Sequence, residues 1–480
     1  MEFKAPPVPE HFSEAEKSTW HLDGPDGSDR KFRHYKLSHL PPRISKSIAT
    51  IYEKMYHKEG RQKANFYLLR ISEYLTFTTV NLATSDDSIK HYAKKIASTC
   101  FSLRLLTSDD MALYESLCRI VIKEGLSPPV VKGNISLSGA IKRLLDESWW
   151  TRKARTYHSR QFECGLISAG LVHKKAAKYV SDQTLKRRQE QKKRTKRILD
   201  SLLAINDNDD TEYSLSELME HSQSNPKNRR NELMVRIAGC DQIAQDIKHD
   251  GVFITITCPS RMHPVYAKSG DFNPLFDGST PMQAQKYLST VWERIRAKLK
   301  RDQIHIYGIR VAEPQHDGTP HWHLLVFSGK QNIAAIKSVC TRYAIADSPN
   351  EKGAQEHRVQ YEMIDRTKGS AVGYIAKYIS KNIDGAHVDK DLDGNDAKSS
   401  ALRVEAWAST FGIRQFQFFG GPPVTIWREL RRLDGTAPEG ILQQAFDAAD
   451  SGNWALFIDV LGGIEQQKKN LPVRLYRIWS

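Results

Sequence analysis

The chain changes its hydrophobic rhythm near the middle. In the first half, apolar positions recur three and four apart. After Pro41-Pro42 come Ile44, Ile48, Ile51, Tyr52 and Met55, closed by Gly60. That spacing predicts an amphipathic helix, with proline at its start and glycine past its end. Residues 62–77, 109–124 (DDMALYESLCRIVIKE, stopped by Gly125) and 138–148 read the same way, the last leading into Trp149-Trp150. Residues 1–35, rich in Pro, Gly and Asp, read as a loose arm. The expected order is an arm at 1–35, an α-helical domain at 36–204 and a polar linker at 205–231.

From about 232 the rhythm alternates between the helical and the strand period. A helix over 233–248 leads to a strand at 252–258, VFITITC. Thr280-Pro281 opens a helix with Leu288, Val291, Trp292, Ile295 and Leu299 on one face. Two β-rich runs, 304–313 and 321–327, flank Asp317-Gly318, a strong hairpin-turn signal. A helix over 331–345, a strand near 357–363 and a further helix complete the order β-α-β-β-α-β-α. This is the split pattern of ferredoxin-like folds, an antiparallel sheet with helices on one side. The predicted class is α+β: a helical N-terminal domain, then a ferredoxin-like domain at 232–432 with a central antiparallel sheet. A helical tail at 433–480 follows.

The hairpin carries the first candidate chemistry. If it folds about Asp317-Gly318, Glu313 lies roughly opposite His321. Strand side chains alternate, so His321 and His323 share one face and Trp322 takes the other. Two imidazoles and a carboxylate then converge, a donor set that suits Mg²⁺ or Mn²⁺ with positions left for water or phosphate oxygens. An H-x-H pair on a half-exposed strand is by itself often accidental; the carboxylate in hairpin register is what strengthens it.

The helix after the last predicted strand carries the second. Val372, Ile375, Ala376, Ile379 and Ile383 form one apolar stripe, and Tyr374, Lys377, Tyr378 and Lys381 cluster on the opposite face. A phenol is a poor nucleophile while protonated, with a reference pKa of ~10. Ammonium groups beside it favour the phenolate and attract a phosphate. Because the aliphatic residues already supply the core face, the tyrosines are read as candidate nucleophiles.

His321-Trp322-His323 and the two tyrosines four apart, each with Lys at the third following position, together resemble the HUH (His-hydrophobic-His) endonucleases of the two-tyrosine class. The wider runs FITITCPSRMH (253–263), DGTPHWH, YIAKYISK and FQFFGGPP (416–423) resemble the replication gene A proteins of temperate tailed bacteriophages, most clearly over 250–432. The resemblance implies a nickase that starts rolling-circle replication. It would act on single-stranded or locally melted origin DNA through a 5′-phosphotyrosine, leaving a 3′-OH. Glu313, His321 and His323 would be the metal ligands, Tyr374 and Tyr378 the nucleophiles, and Lys377 and Lys381 the groups that tune them. Members of that family often continue well past the position of Ser480, which opens the question of a truncated C-terminus. No G-x-x-x-x-G-K-[ST] loop occurs, so a host helicase is an expected partner, and the 3′-OH that the resemblance implies would be extended by a host polymerase. A two-tyrosine transposase or conjugative relaxase shares the same residues; a DNA-binding protein without turnover and a zinc hydrolase are the more distant rivals.

Composition narrows the class further. The formal net charge is +15 and the pI about 9.3, as expected of a protein with a polyanionic partner. Residues 185–197 (LKRRQEQKKRTKR) hold eight Lys/Arg and one Glu, which reads equally as a phosphate contact or a solvated helix face. Trp427, Arg428, Arg431 and Arg432 form a second candidate contact to a DNA backbone. Asp389, Asp391, Asp393 and Gly394 match the start of a Ca²⁺ loop, but its twelfth position is Ser400 rather than the bidentate Glu. Six cysteines without a C-x-x-C argue against a zinc finger or disulfide framework and suit the reducing cytoplasm of a bacterial host. No signal peptide or membrane span is expected.

Overall fold

The computed structural model describes residues 13–23, 27–38, 40–75, 86–131, 135–207, 209–367, 369–383, 397–433, 435 and 437–475. The chain divides into two compact units, Met1–Leu171 and Val172–Ser480.

The described part of the first unit is helical. Its longer helices are Pro42–Glu59, Arg61–Leu75, Asp86–Leu106, Asp110–Lys123 and Glu147–Ser168. Ile44, Ile48 and Tyr52, at helical spacing in the sequence, are buried, as are Leu113, Leu117 and Val121. Two details differ from the sequence reading. The stretch expected as a loose arm contains helices Glu14–Thr19 and Ser28–Leu37. Ser13 and Glu16 close a capping box at the first, and the buried Arg33 guanidinium donates to the Thr19 carbonyl at 2.8 Å. The helix expected over 138–148 stops at Leu145, because Asp146 accepts from the backbone N–H of Ser148 and Trp149 and so starts the next helix.

The second unit begins with helix Asp182–Ser201, a small antiparallel pair β1 (Leu203–Ile205) and β2 (Glu212–Ser214), and helix Leu215–His221. These elements occupy much of the expected polar linker 205–231. A capping box between Ser214 and Glu217 starts that last helix. Helix Pro226–Asp246 follows. The sheet consists of β3 (His249–Ile256), β4 (Tyr307–Pro314), β5 (Pro320–Gly329), β6 (Val359–Met363) and β7 (Phe416–Phe419). It is antiparallel, in the order β6-β3-β5-β4-β7.

Helices cover the sheet on both faces, not on one as the sequence pattern suggested. Phe253, Ile309, Val311, Leu325 and Phe327 pack with helices Pro226–Asp246 and Ala371–Ile383. The opposite face meets helices Pro281–Arg301 and Ile333–Ile345, and Trp322 there donates to Gln285 at 3.0 Å. The reason is legible in burial: every residue of β4, and nearly every residue of β5, is buried, so neither face can be left to water.

The expected C-terminal tail is part of this core. Helices Ile441–Asp450 and Trp454–Val460 contribute Ala445, Ala449, Trp454 and Phe457 to it. Gly239 is in contact with this segment; a Cβ there would lie 2.7 Å from the Cβ of Trp454. Trp427 is also a core residue, packed edge-on to Trp454 and Phe457, and Arg428 is held in a two-pronged ion pair by Glu232 at 2.6 and 2.8 Å. Of the four residues expected from sequence to contact a DNA backbone, these two are thus engaged within the protein, while Arg431 and Arg432 are exposed. Asp389, Asp391, Asp393 and Gly394 lie outside the described residues.

Candidate metal and nucleophile site

The turn between β4 and β5 sets the site. Gly318 has φ +83°, a conformation glycine adopts without strain. Asp317 is fully buried, accepts from the Thr319 backbone N–H at 2.9 Å and meets His263 Nδ1 at 2.8 Å. Burial acts to raise the Asp317 carboxyl. His263 and the hydrogen bonds it accepts outweigh this and hold it below the ordinary value. The Trp407 indole N–H donates to the Gly318 carbonyl at 2.8 Å. With the turn fixed, Glu313 pairs with His321 and Val311 with His323 across the hairpin.

That register brings Glu313, His321 and His323 together, their ligand atoms within 4.8 Å of one another. His321 Nε2 and His323 Nε2 are 2.9 Å apart. His323 Nε2 lies 3.8 Å from Glu313 Oε2. Two ligands about 2.1 Å from one ion and at right angles to each other stand about 3 Å apart, and opposed ligands about 4.2 Å, so these separations fit an octahedral cation. Glu313 and His323 are buried, and His321 half-buried. Thr255, opposite His323 on β3, meets its Nδ1 at 3.0 Å and so leaves Nε2 turned toward the other two donors. Such outer partners fix a ligand's tautomer and orientation.

Helix Ala371–Ile383 lies against this patch. Ile375, Ile379 and Ile383 are buried and form its core stripe, while Tyr374 and Tyr378 are half-buried. The Tyr378 ring is 4.1 Å from the His323 ring and 5.2 Å from Phe253, which itself stacks on His323 at 5.5 Å. Tyr374 and Tyr378 line a cleft of about 440 Å³ with Phe253, Glu362, Ser370 and Gly373. The side chains of Lys377 and Lys381 lie outside the described residues.

Sequence reasoning missed the residues that join helix to hairpin. Asn382 is fully buried; its amide donates to Glu313 Oε1 and to the Tyr378 carbonyl, and Gln415 donates to its oxygen at 3.3 Å. At the other end of the helix, Asp241 accepts from the Ala371 backbone N–H at 3.3 Å and from Arg366 at 2.7 Å. One signal for Asn382 was present: it lies four residues after Tyr378, on the same helix side. No local signal marked Asp241, which lies more than a hundred residues away.

The model of the bacteriophage replication gene A protein family matches residues 82–386, more than half of the chain. The chain belongs to that family. All three metal-ligand candidates and both tyrosines fall inside the matched span. Among its relatives, a probable replication protein of Pseudoalteromonas phage PM2 is 33% identical over 92% of this chain and 75% of its own length. The replication gene A protein of Escherichia phage 186 is 40% identical over 70% of this chain and 50% of its own. A probable replication endonuclease from a prophage-like region of Salmonella paratyphi A is 36% identical over 70% of this chain and 44% of its own. The chain thus spans half or less of the length of the last two relatives. No solved structure matches it. Among the described residues, no helix is long and apolar enough to cross a membrane.

Proposed function

We propose that this gene A family member is an endonuclease of the HUH superfamily, two-tyrosine class, that nicks one strand of phage origin DNA to start rolling-circle replication. The observation that carries the reading is the tyrosine ring 4.1 Å from a histidine of a His-His-Glu patch. The word endonuclease in the name of the Salmonella relative is consistent with it, as is the strand order β6-β3-β5-β4, which is that of a ferredoxin-like sheet with β7 added at one edge.

In this reading Glu313, His321 and His323 hold Mg²⁺ or Mn²⁺, which when bound polarises the scissile phosphate and offsets charge developing on its oxygens. The oxygen of Tyr374 or Tyr378 forms a bond to phosphorus as the bond from phosphorus to the 3′-oxygen breaks. The phenol loses its proton and the departing 3′-oxygen gains one. The strand is left with a 5′-phosphotyrosine and a 3′-OH for a host polymerase. Lys377 and Lys381 favour the phenolate, and a host helicase opens the duplex. The second tyrosine cuts the regenerated origin, and the freed 3′-OH then closes the circle.

The test is incubation with Mg²⁺ or Mn²⁺ and single-stranded DNA from the origin region, followed by mass spectrometry of tryptic peptides. A nucleotide adduct on the peptide bearing Tyr374 or Tyr378 is the expected result. Cleavage without any protein–DNA adduct would replace the tyrosine reading with a hydrolytic one.

A further inference from the structure

A second cleft, of about 700 Å³, runs beside the edge strand β7 in the same unit. It is lined by several cationic side chains, Arg236, Arg296, Arg310 and Arg414 among them, and by one carboxylate, Glu232, which is engaged by Arg428 and lies 3.8 Å from Arg236. Two of these arginines are placed at a cost to the fold. Arg310 is 3% exposed and Arg236 7%. The Nε of each is buried without a hydrogen-bond partner. Arg310 stacks over Trp322 at 4.0 Å and donates to the Arg414 carbonyl at 3.0 Å, but among the described residues no carboxylate pairs with it. Burial, then the charges of Arg414 and Arg296, push its guanidinium down to about 10. Arg236 is held between Phe418 at 3.7 Å and Trp454 at 4.6 Å.

A buried cation that faces like charges is unfavourable unless an anion completes it. The lining also interleaves these arginines with the half-buried rings of Phe416, Phe418 and Phe419. Cations alternating with aromatic faces are the composition of single-stranded nucleic acid grooves, where phosphates meet the cations and bases stack. An acidic peptide would use the charges and leave the rings without purpose. Gln415 lines the cleft and, through Asn382, reaches Glu313 of the His-His-Glu patch. We infer that the β7 cleft, through Arg236, Arg310 and the exposed Arg296 and Arg414, holds the phosphodiester backbone of a single DNA strand that continues from the scissile phosphate.

This inference rests on the proposed nicking reading, but its readout does not. The full chain is titrated with a fluorescein-labelled oligodeoxythymidylate of about twenty nucleotides in EDTA, so that binding is measured without cleavage. Replacing Arg296 and Arg414 together with Ala, both exposed, is expected to weaken binding about tenfold. It should also reduce the slope of log K against log salt by about 1.4, that is 0.7 for each lost phosphate contact. Arg310→Met is expected to lose affinity as well while melting at or above the temperature of the unchanged chain, because it removes an unpaired buried charge. A purely structural Arg310 predicts lower melting with unchanged affinity. Affinity within twofold and an unchanged slope in the double variant overturn the inference. So does displacement of the oligonucleotide by polyglutamate as readily as by unlabelled DNA. An unchanged chain that binds through these arginines yet never forms an adduct leaves the cleft standing and removes the nicking reading instead.

Discussion

Glu313, His321 and His323 are placed by one hairpin, across a five-residue loop from Gln315 to Thr319. Tyr374 and Tyr378 stand on a helix whose position depends on distant partners: Asp241 at its start, and Glu313 through Asn382 at its end. Strand pairing fixes side chains by register, because a slip of one residue would turn every candidate ligand to the other face. A helix fixes only the spacing of its own residues. Its approach to the sheet must be supplied by contacts elsewhere. The two halves of the site should therefore fail differently when disturbed.

Removing a candidate ligand on the hairpin should have the largest effect. His323→Ala, or excess EDTA with the unchanged chain, is expected to abolish covalent adduct on single-stranded DNA while oligonucleotide affinity stays within about threefold, since charge at neutral pH comes mostly from Lys and Arg. Full cleavage by His323→Ala on a denaturing gel would end the metal reading. On the helix side the loss should be shared. Tyr374→Phe with Tyr378→Phe is expected to give no adduct, because phenylalanine keeps the ring and lacks the oxygen. Each single change should retain cleavage but lose efficient release of closed circles. Tyr378→Phe should be the worse of the two in cleavage, as its ring is the one beside His323; equal rates would mean that ring proximity does not rank the nucleophiles.

The joint between the halves should give an intermediate effect. Asn382→Ala is expected to weaken apparent metal affinity about 10–100-fold, the usual loss for an outer-shell partner, with activity recovered at higher Mn²⁺. Failure of Mn²⁺ to restore it would place Asn382 in helix positioning rather than in metal binding. The smallest effect on chemistry, and a clear one on stability, is expected at the turn. Asp317→Asn should destabilise the second unit by about 3 kcal/mol, the order found when one partner of a buried ion pair is removed. The folded Asp317 carboxyl lies below its ordinary value. Its contribution is therefore complete above about pH 4 and disappears as pH falls through the folded value. Urea melts of the unchanged chain and Asp317→Asn should converge at low pH; parallel curves down to that point would assign the loss to packing.

The same contrast explains what the sequence disclosed. The hairpin was readable because its signals are local: a D-G turn, a period of two and a carboxylate at matching distance. The core stripe of the tyrosine helix was readable from its period. Its attachment was not, because Asp241 and Asn382 act through tertiary contacts without a sequence signature. Charge pairing was likewise invisible in the sequence. In the basic run, Arg188 and Lys192 share Glu405 at 2.9 and 2.7 Å, a pairing no window of sequence reveals. Arg236 and Arg310, isolated in apolar stretches of sequence, gave no signal and are the buried arginines whose Nε lacks a hydrogen-bond partner. The cover on the second sheet face was foreshadowed by the continuous apolar character of β5, which an alternating strand would have lacked.

The contact between Gly239 and Trp454 bears on how this protein can be cut down for use. A minimal fragment ended after the last recognisable motif, near residue 432, would look reasonable on motif grounds alone. It would also strip Trp454 and Phe457 from Trp427 and from the helix that carries Asp241, leaving an apolar trough along that helix. Working fragments or fusions should carry the chain through Leu471, itself buried in that core, and place any linker beyond it.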